Sequence, residues 1–508
     1  MISFRKIWLA LVILSTGAIG YWSCSTGSQQ RGEVLARTHC GGCHLFPEPS
    51  LLPQKVWDEG VLPHMAARLG ISYRGMDLDS LQSTNEQQVV DAGVFPVEPV
   101  VSQQEWESIV AYYLKNAPDE LPDTVRKAAL LPLTNFRVRT PRQPVPAMVT
   151  AVRYDSLHQQ VWAGLRSGVT YVLDKNLRPV DSLFRSRSPF SDIRFRKNEW
   201  DLLSMGIMDP NDKSTGDWIR ISKKGNQWVA KPLVEGLQRP VHASFADIND
   251  DGREDMVVSE YGNYIGRLAW YENLPNDSTR MHIIENQPGA RQTYWHDYNG
   301  DGRKDLWVLW AQGDEQIAVY LNNGRGNLIK KVLLRFSPVY GSGYFELVDI
   351  NKDGHMDILY ANGDNADHSQ TKKPYHGIRI FTNNGSGVFR ETFFYPMHGA
   401  TQALARDFDQ DGDLDIAAIA FFPDYDQESA ESFVYLENQG NGKYLPRTFS
   451  DPNVGRWLTM DVADVDQDGD LDILLGSFSL TITPTPKAIK ERWNRENKGV
   501  ILLENQLR

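Results

Sequence analysis

The stretch DFDQDGDLDIA, residues 407–417, carries aspartate at its first, third, fifth and ninth positions and glycine at its sixth. Side-chain oxygens at this spacing, with a backbone carbonyl at the seventh position, suit a hard cation such as Ca²⁺. The glycine permits a backbone angle that other residues resist. An EF-hand would need a glutamate at the twelfth position and a helix on each side. The twelfth position is apolar and the flanks are rich in strand-forming residues, so an EF-hand is excluded.

The same form occurs five times in the chain and predicts a repeated structural unit. The other copies are DINDDGREDMVV from Asp247, DYNGDGRKDLWV from Asp297, DINKDGHMDIL from Asp349 and DVDQDGDLDIL from Asp464. Successive starts are separated by 50, 52, 58 and 57 residues, which sets the length of one unit. The predicted metal ligands are Asp247, Asn249, Asp251, Asp255, Asp297, Asn299, Asp301, Asp305, Asp349, Asn351, Asp353, Asp357, Asp407, Asp409, Asp411, Asp415, Asp464, Asp466, Asp468 and Asp472.

These segments resemble the FG-GAP or VCBS repeats of integrin-like β-propellers, in which each calcium loop joins the first two strands of a blade. Later strands of each unit end in Asn-Gly-like turns, as in AVYLNNGRGN. Two degenerate units, from Met148 and Leu202, raise the total to seven, with Asp209 and Asn211 as remnants of a ligand set. We expect LTNFRVRT, around Asn135, to supply the fourth strand that the last unit lacks. The resemblance implies an all-β seven-bladed propeller over residues 132–508, holding about five structural Ca²⁺ ions.

A second motif, Cys40-Gly41-Gly42-Cys43-His44, lies near the N-terminus. In a C-x-x-C-H sequence two cysteines add to the vinyl groups of haem and the histidine supplies an iron ligand. A thioredoxin-like pair would need a βαβ context, and a zinc site would need two more ligands downstream. No further cysteine follows, and helix-like spacing leads into the motif. The segment therefore predicts one covalently bound haem c.

Residues 31–121 resemble a class I cytochrome c, a small all-α domain in which one helix enters the motif and an amphipathic helix closes the fold. The closing helix is SQQEWESIVAYYLKNA, where Ser102 and Glu105 form a capping box. The resemblance implies a sixth iron ligand. Met65 is the preferred residue, because Trp57 with Met65 looks like a pair that several such cytochromes carry. The alternatives are Met76 and, for a bis-histidine haem, His64.

Residues 1–23 predict a secretory signal, because the basic Arg5 and Lys6 precede the apolar run IWLALVILSTGAIGYW. Cys24 follows a small residue and resembles the lipid-modified cysteine of a bacterial lipoprotein, with residues 24–30 as a tether. The alternatives are an uncleaved anchor and a plain exported protein with a spare thiol. All three place the chain outside the cytoplasm, in the periplasm or at the outer membrane. A linker over residues 122–131 would separate the two domains.

The charge balance excludes one large class of partner. There are 53 Lys and Arg against 65 Asp and Glu, a net charge of −12, and the basic residues are scattered. Nucleic-acid binding is therefore not expected. The predicted ligands include 17 of the acidic residues, so much of the acidic balance belongs to metal sites. No Ser-His-Asp spacing, zincin motif, P-loop or dinucleotide fingerprint occurs.

The loops between the second and third strands of the units are long and unlike one another, which is typical of functional loops. They would lie opposite the calcium loops and rim the central channel. They suit a carbohydrate or another polyhydroxylated ligand, and equally suit ordinary solvated loops. His376, in KPYHG, is the one candidate catalytic base. The residues that these loops bring to the rim are Glu260, Tyr261, Asp314, Asp364, Asp367, His368, Lys373, His376, Asp424, Tyr425, Asp426, Lys490 and Arg492.

Two functions are compatible with these features. In the first, a cell-envelope cytochrome c transfers electrons while its propeller docks a redox partner, another protein or a glycan. In the second, the propeller is a dehydrogenase that oxidises a sugar, polyol or similar substrate and passes the electrons to haem. The second needs a two-electron centre that the sequence does not show, and whether the chain is an enzyme stays open. The combination of a cytochrome segment with FG-GAP or VCBS blades resembles a family of exported bacterial proteins, a resemblance that supplies no reaction.

Overall fold

The computed structural model describes residues 30–78, 87–122, 128–180, 184–225, 227–275, 278–364, 370–480 and 483–507. The chain divides into two compact units, Met1–Pro122 and Asp123–Arg508. The described part of the first unit is helical, and the second is built almost wholly from strands. Cys24 and the predicted signal, residues 1–23, lie outside the described residues. Among the helices that are described, none has the length and apolar character needed to cross a membrane.

The closing helix of the first unit, Gln103–Asn116, begins where the sequence predicted. The Ser102 hydroxyl accepts from the Glu105 amide, and the Glu105 carboxylate accepts from the Ser102 amide, so the capping box is confirmed. The face that carries Trp106 and Tyr113 is buried. The other helical segments among the described residues of this unit are a helix over residues 30–39, single turns at Pro49–Leu51, Gln54–Val56 and Trp57–Val61, and short helices at Leu62–Arg68 and Gln87–Asp91.

Gly32 sets how closely the first and last helices of this unit approach. A Cβ atom at Gly32 would lie 2.4 Å from the Ser108 carbonyl oxygen and 3.1 Å from the Cβ of Tyr112. Any side chain at this position would force the two helices apart. The helix that leads into the C-x-x-C-H motif therefore packs directly on the closing helix. The class I cytochrome c fold itself stays a prediction for this unit.

Seven sheets form the second unit, so the predicted seven-bladed all-β propeller is confirmed. The first strands of neighbouring blades contact one another in a closed ring. Within the described residues, the connections also contain helical segments at Ser429–Ser432, Pro452–Val454 and Lys487–Glu496. In blade order the strands are Val149–Asp155, Gln160–Leu165, Val169–Asp174 and Phe184–Arg185 in blade 1; Phe190–Phe195, Glu199–Ser204, Gly216–Lys224 and Gln227–Leu237 in blade 2; Pro240–Ala246, Asp255–Glu260, Arg267–Leu274 and Ser278–Glu285 in blade 3; Ala290–His296, Asp305–Trp310, Gln316–Asn322 and Leu328–Arg335 in blade 4; Ser342–Val348, Asp357–Asn362, Gly377–Asn383 and Phe389–Pro396 in blade 5; Ala400–Arg406, Asp415–Ala420, Phe433–Asn438, Tyr444–Thr448 and the added Leu131–Pro132 in blade 6; and Trp457–Ala463, Asp472–Ser477, Val500–Asn505 and Phe136–Arg139 in blade 7.

Strands from the start of the propeller close the ring. Phe136–Arg139 pairs antiparallel with Val500–Asn505 and is the fourth strand of blade 7, as LTNFRVRT predicted. Leu131–Pro132 adds in parallel to Tyr444–Thr448 at the outside of blade 6. Because blade 7 is complete only with a strand from the other end of the propeller, its stability depends on both ends.

We expect Phe136→Ala to destabilise the propeller by about 3–5 kcal/mol, since truncating a buried phenylalanine leaves a cavity. Phe136 is 6% exposed, and its ring centroid lies 6.1 Å from that of Phe408 and 5.9 Å from that of Tyr435. Val138→Ala in the same strand is the matched control, because Val138 is 39% exposed and such surface changes cost about 0.5 kcal/mol. The measurement is the urea unfolding midpoint. Equal shifts in the two variants would contradict the role of Phe136 in closure.

Hydrogen bonds from side chain to backbone join the first strands of all successive blades. Between blades 1 and 2 the Thr150 hydroxyl donates to the Phe190 carbonyl. At the other six junctions a side chain of one blade accepts from a backbone amide of the next. These pairs are Asp192 with Ala243, His242 with Thr293, Gln292 with Phe345, Glu346 with Ala405, Gln402 with Met460, and Asp461 with Tyr154.

The sequence prediction for blade 2 is wrong in one respect. Asp209 and Asn211 lie in the loop between Glu199–Ser204 and Gly216–Lys224, which are the second and third strands. They are therefore on the face opposite the acidic loops and are not remnants of one. The error arose because the apolar run at Leu202 belongs to a second strand, whereas the prediction read it as a first strand. The true connection between the first two strands of this blade is the short turn at residues 196–198.

Candidate functional site

Each of the five acidic loops is closed by its own first aspartate, whose carboxylate accepts from the amide of the sixth-position glycine. In blade 3, for example, Asp247 accepts from Gly252 at 2.8 Å and from Asp251 at 3.1 Å. The five glycines have φ between +80° and +99°, a left-handed conformation that favours glycine. The turn geometry expected from the repeats is thus present in all five blades.

The aspartate at the ninth position of each acidic loop joins the loop to its blade through hydrogen bonds. All five of these side chains are buried, at no more than 1% exposure. Burial raises the pKa of Asp415 and of Asp472 to about 7. One carboxylate oxygen of each accepts, at 2.7–2.8 Å, from a backbone amide at the end of the third strand. These amide donors are Asn273, Asn322, Asn383, Asn438 and Asn505.

In blades 6 and 7 the carboxylates converge as a cation site requires. Two groups of three have ligand oxygens within 4.8 Å of one another: Asp407 with Asp409 and Asp411, and Asp464 with Asp466 and Asp472. One oxygen of Asp407 and one of Asp466 are buried without a hydrogen-bond partner. Carboxylates this close repel one another unless a cation lies between them. The donors are all hard oxygens, the set that Ca²⁺ takes, so these residues fit a calcium ion.

The loops of blades 3, 4 and 5 have the same aspartate–glycine turn but carry less negative charge. Their third position is asparagine, and its amide group donates to the fifth-position aspartate at 3.1–3.2 Å. In blade 3 the seventh residue, Arg253, also forms an ion pair with Asp251. In blade 4 the equivalent Arg303 lies 3.4 Å from Asp250 of the blade 3 loop. Because calcium affinity rises with the number of charged ligands, we expect the loops of blades 6 and 7 to bind Ca²⁺ more tightly.

The C-x-x-C-H segment starts on the last turn of the helix over residues 30–39, where the Cys40 amide donates to the Ala36 carbonyl. Burial raises the pKa of the Cys40 thiol to about 11, so the thiol is protonated at neutral pH. Cys43 is exposed. His44 Nδ1 lies 3.0 Å from the Leu45 carbonyl oxygen. Because a carbonyl can only accept, Nδ1 carries the proton of the neutral ring and Nε2 holds the lone pair.

Aromatic side chains fix the backbone that follows this motif. The Tyr113 hydroxyl donates to the Pro47 carbonyl at 3.0 Å, and the Trp57 indole donates to the Pro49 carbonyl at 2.8 Å. The rings of Trp57 and Tyr113 pack with centroids 4.5 Å apart. Trp106 lies seven residues before Tyr113 on the closing helix and is fully buried, and its indole N–H has no hydrogen-bond partner.

The three candidates for the sixth iron ligand lie in two places, His64 and Met65 on one helix and Met76 after it. Met65 is half-buried on the helix Leu62–Arg68, and His64 precedes it there. Met76 is half-buried and forms an isolated backbone bridge with Tyr73. The choice among the three stays a prediction.

On the opposite face, several of the residues predicted to rim the channel form pairs within the loops. Glu260 is fully buried and accepts from Arg267 at 2.7 Å and from Tyr271 at 2.8 Å. Two others form ion pairs: Asp314 with Arg335 at 2.6 Å, and Asp424 with Lys372 at 2.5 Å. These contacts stabilise the loops. Two further predicted rim residues, Asp367 and His368, lie outside the described residues.

His376, the candidate base, is 1% exposed, and its Nε2 is buried without a hydrogen-bond partner. Burial lowers its pKa well below the ordinary value, so the ring is neutral. A neutral imidazole can accept a proton, but the substrate hydroxyl would have to reach a buried atom. The catalytic role of His376 stays a prediction.

Two charged residues of blade 2, Asp201 and Arg220, were not predicted from the sequence to belong to a site. They are cross-strand neighbours on the face of blade 2 that packs on blade 3. The signal was the aspartate in the middle of EWDLLS, a strand whose last five residues are buried. It was missed because the strands of blade 2 were assigned in the wrong order.

Comparison with known proteins identifies the repeats. Residues 247–308, 297–360 and 407–475 match the family described as FG-GAP-like repeat, and these segments contain all five acidic loops. Comparison with curated protein sequences gives no match. Among solved structures, the WD40 domain of Neurospora crassa Pan2 is 11% identical with a TM-score of 0.41, covering 71% of this chain and 91% of that chain. The N-terminal domain of Nup159 is 11% identical with a TM-score of 0.42, covering 75% of this chain and 99% of that chain.

Proposed function

We propose that this chain is an electron-transfer protein of the cell envelope, with one covalently bound haem c in its helical unit and a calcium-stabilised propeller that docks a partner or a glycan. The observation that carries the proposal is the C-x-x-C-H segment, in which Nδ1 of His44 is held by the Leu45 carbonyl. That contact leaves the lone pair on Nε2, the form in which a histidine binds iron.

The state of the cysteines also favours haem attachment over other cysteine chemistry. A thiolate is the form that attacks disulfides or binds zinc, and a reactive thiolate needs a lowered pKa. Cys40 has the opposite shift, to a pKa of about 11. Cys40 is half-buried beside Tyr113 of the closing helix, which suits a sulfur that is used once, in a permanent thioether bond.

The helical unit supplies the residues that would hold the cofactor. Cys40, Cys43 and His44 would hold the haem, whose iron supplies one-electron transfer when it is bound. Tyr113 and Trp57 keep the chain after His44 in place through the Pro47 and Pro49 carbonyls. The unpaired indole N–H of the buried Trp106 is a donor that a polar group of a bound cofactor would satisfy.

The propeller has the features of a domain that docks a partner or a glycan. An FG-GAP propeller is a rigid ring, here bridged at all seven junctions by side chain to backbone hydrogen bonds, and its variable loops lie on one face. We propose that this face binds a redox partner, another protein or a glycan. Export and lipid attachment through Cys24 are part of the same proposal, because residues 1–23 have the pattern of a secretory signal.

The sixth ligand provides the first test of this proposal. In protein purified with haem, we expect Met65→Ala to abolish the sulfur–iron charge-transfer band while covalent haem is retained. The physical reason is that the band needs the methionine thioether on the iron. Met76→Ala is the matched control and should leave the band unchanged. Loss of the band only in the Met76 variant would identify Met76 as the sixth ligand. The absence of haem from the wild-type protein would refute the proposal.

A second measurement separates electron transfer from catalysis. Haem-loaded protein with calcium should be reduced by a chemical donor and reoxidised reversibly, without reduction on addition of sugars, polyols or amines. Substrate-dependent haem reduction would instead support the dehydrogenase, and His376→Gln would then test the buried imidazole as the base.

A further inference from the structure

We propose that a cavity between blades 2 and 3 binds a small oxyanion, namely a carboxylate, sulfate or phosphate group. The cavity has a volume of about 70 Å³ and opens beside the acidic loop of blade 3. One water needs about 10–15 Å³ of such space, so the cavity has room for a small anion. Its walls include Arg194, Arg196 and Arg220 from blade 2.

The charged wall is a departure from the pattern of the other six blades. Asp201 is the third residue of a six-residue second strand, and in each other blade that position is apolar and at most 1% exposed. The equivalents are Trp162, Val257, Trp307, Leu359, Ala417 and Leu474.

The cross-strand partner of Asp201 departs in the same way. Arg220 pairs with Asp201 in register. At the equivalent positions the other blades carry apolar or aromatic side chains that are at most 5% exposed. These are Val172, Trp270, Val319, Ile380, Tyr435 and Leu502.

Asp201 holds two guanidinium groups at the cavity. Its carboxylate accepts from Arg196 Nε at 2.7 Å and from Arg220 Nε at 2.7 Å. One buried carboxylate thus positions two cations at this wall. Glu199, 3.4 Å from Arg220, is 43% exposed and its charge is screened by water.

Arg194 is the third cation and has an unused donor. Its Nη2 pairs with Glu254 at 2.6 Å. Its guanidinium carbon lies 4.1 Å from the centre of the Phe245 ring, a contact that fixes the plane of the group. Its Nη1 is buried and has no hydrogen-bond partner. A guanidinium held flat with a free N–H group is the arrangement that recognises carboxylates and oxyanions.

The opposite wall comes from blade 3 and combines apolar and polar side chains, namely Phe245, Met256 and Tyr271 with Glu254, Asn273 and Thr279. Trp218 of blade 2 lies beside them. The three arginine side chains are 24–36% exposed, so they are partly desolvated, which strengthens their interaction with an anion. Replacing a buried ion pair by apolar residues is often neutral or stabilising, so packing alone gives no reason for Asp201 and Arg220 at this position.

The experiment is an anion titration of the full chain, with sulfate, phosphate and acetate against chloride at constant ionic strength. Binding is followed by calorimetry and by the tryptophan fluorescence of the whole chain, to which Trp218 at the cavity contributes. We expect saturable binding of at least one oxyanion at millimolar concentration. Arg194→Gln should weaken that binding about tenfold, the effect of losing one hydrogen bond to a charged group. The relative affinities of sulfate, phosphate and acetate identify which class of oxyanion the cavity binds.

Two controls keep the test independent of folding. Arg280→Gln, an exposed arginine in blade 3, should bind the anion as the wild type does. The double variant Asp201→Leu, Arg220→Ile gives blade 2 the pair that blade 5 has at Leu359 and Ile380 and should fold but bind no anion. Binding that is no stronger than that of chloride, or equal binding in Arg194→Gln and the wild type, would overturn the proposal.

Discussion

The double variant Cys40→Ser, Cys43→Ser is expected to carry no covalent haem, whereas the wild-type chain carries one haem per molecule. Thioether bonds need sulfur, and a serine hydroxyl does not replace it. The measurement is haem absorbance of the chain after denaturation and removal of non-covalent ligands. The propeller should be unaffected, because the two cysteines belong to the helical unit, Met1–Pro122.

Cys24→Ser is the matched control for this experiment. It removes the remaining cysteine of the chain, which is the proposed lipid attachment site, and should leave the haem content unchanged. Each single variant, Cys40→Ser or Cys43→Ser, should retain at most one thioether. Full covalent haem in the double variant, or none in the wild type, would contradict haem attachment at this motif.

Removal of calcium is expected to lower the melting temperature of the propeller by about 10 °C or more. Metal bound only by the folded state stabilises it by about 4 kcal/mol per site at a thousandfold excess over Kd, so two tight sites contribute about 8 kcal/mol. The convergent carboxylates of blades 6 and 7 add to the effect, because without a cation they repel one another. The measurement is thermal unfolding followed by circular dichroism, with and without excess chelator. Unchanged melting would count against metal in the loops.

An isosteric variant tests which loops are responsible. Asp409→Asn with Asp466→Asn gives blades 6 and 7 the asparagine that blades 3 to 5 have at the third position. We expect weaker calcium binding and a smaller effect of the chelator, with the fold retained. Asp426→Asn, on the opposite face, is the control and should respond to chelator as the wild type does. Equal chelator sensitivity in all three proteins would contradict the assignment of the tight sites to blades 6 and 7.

The loops and the capping box could be predicted because their geometry is local. In each acidic loop the first aspartate binds the amide of a glycine five residues later, and the φ of that glycine depends only on its missing side chain. The capping box likewise joins residues three positions apart. The strands of blade 2 could not be assigned correctly from the sequence, because a degenerate repeat gives no marker of where its first strand begins.

The chain's amino-acid order by itself determines the turn at each acidic loop and the C-x-x-C-H segment, which involve neighbours within about a dozen positions, and the recurrence of those loops indicates the repeats. Tertiary structure alone decides which carboxylates converge, which charged residues of the rim form pairs, and where Asp201 and Arg220 lie. The pairing of Phe136 with Asn505 shows the reason, since it joins the two ends of the propeller. Contacts of this kind depend on how the strands pack around a closed ring, and no local pattern specifies the charges that meet between two blades.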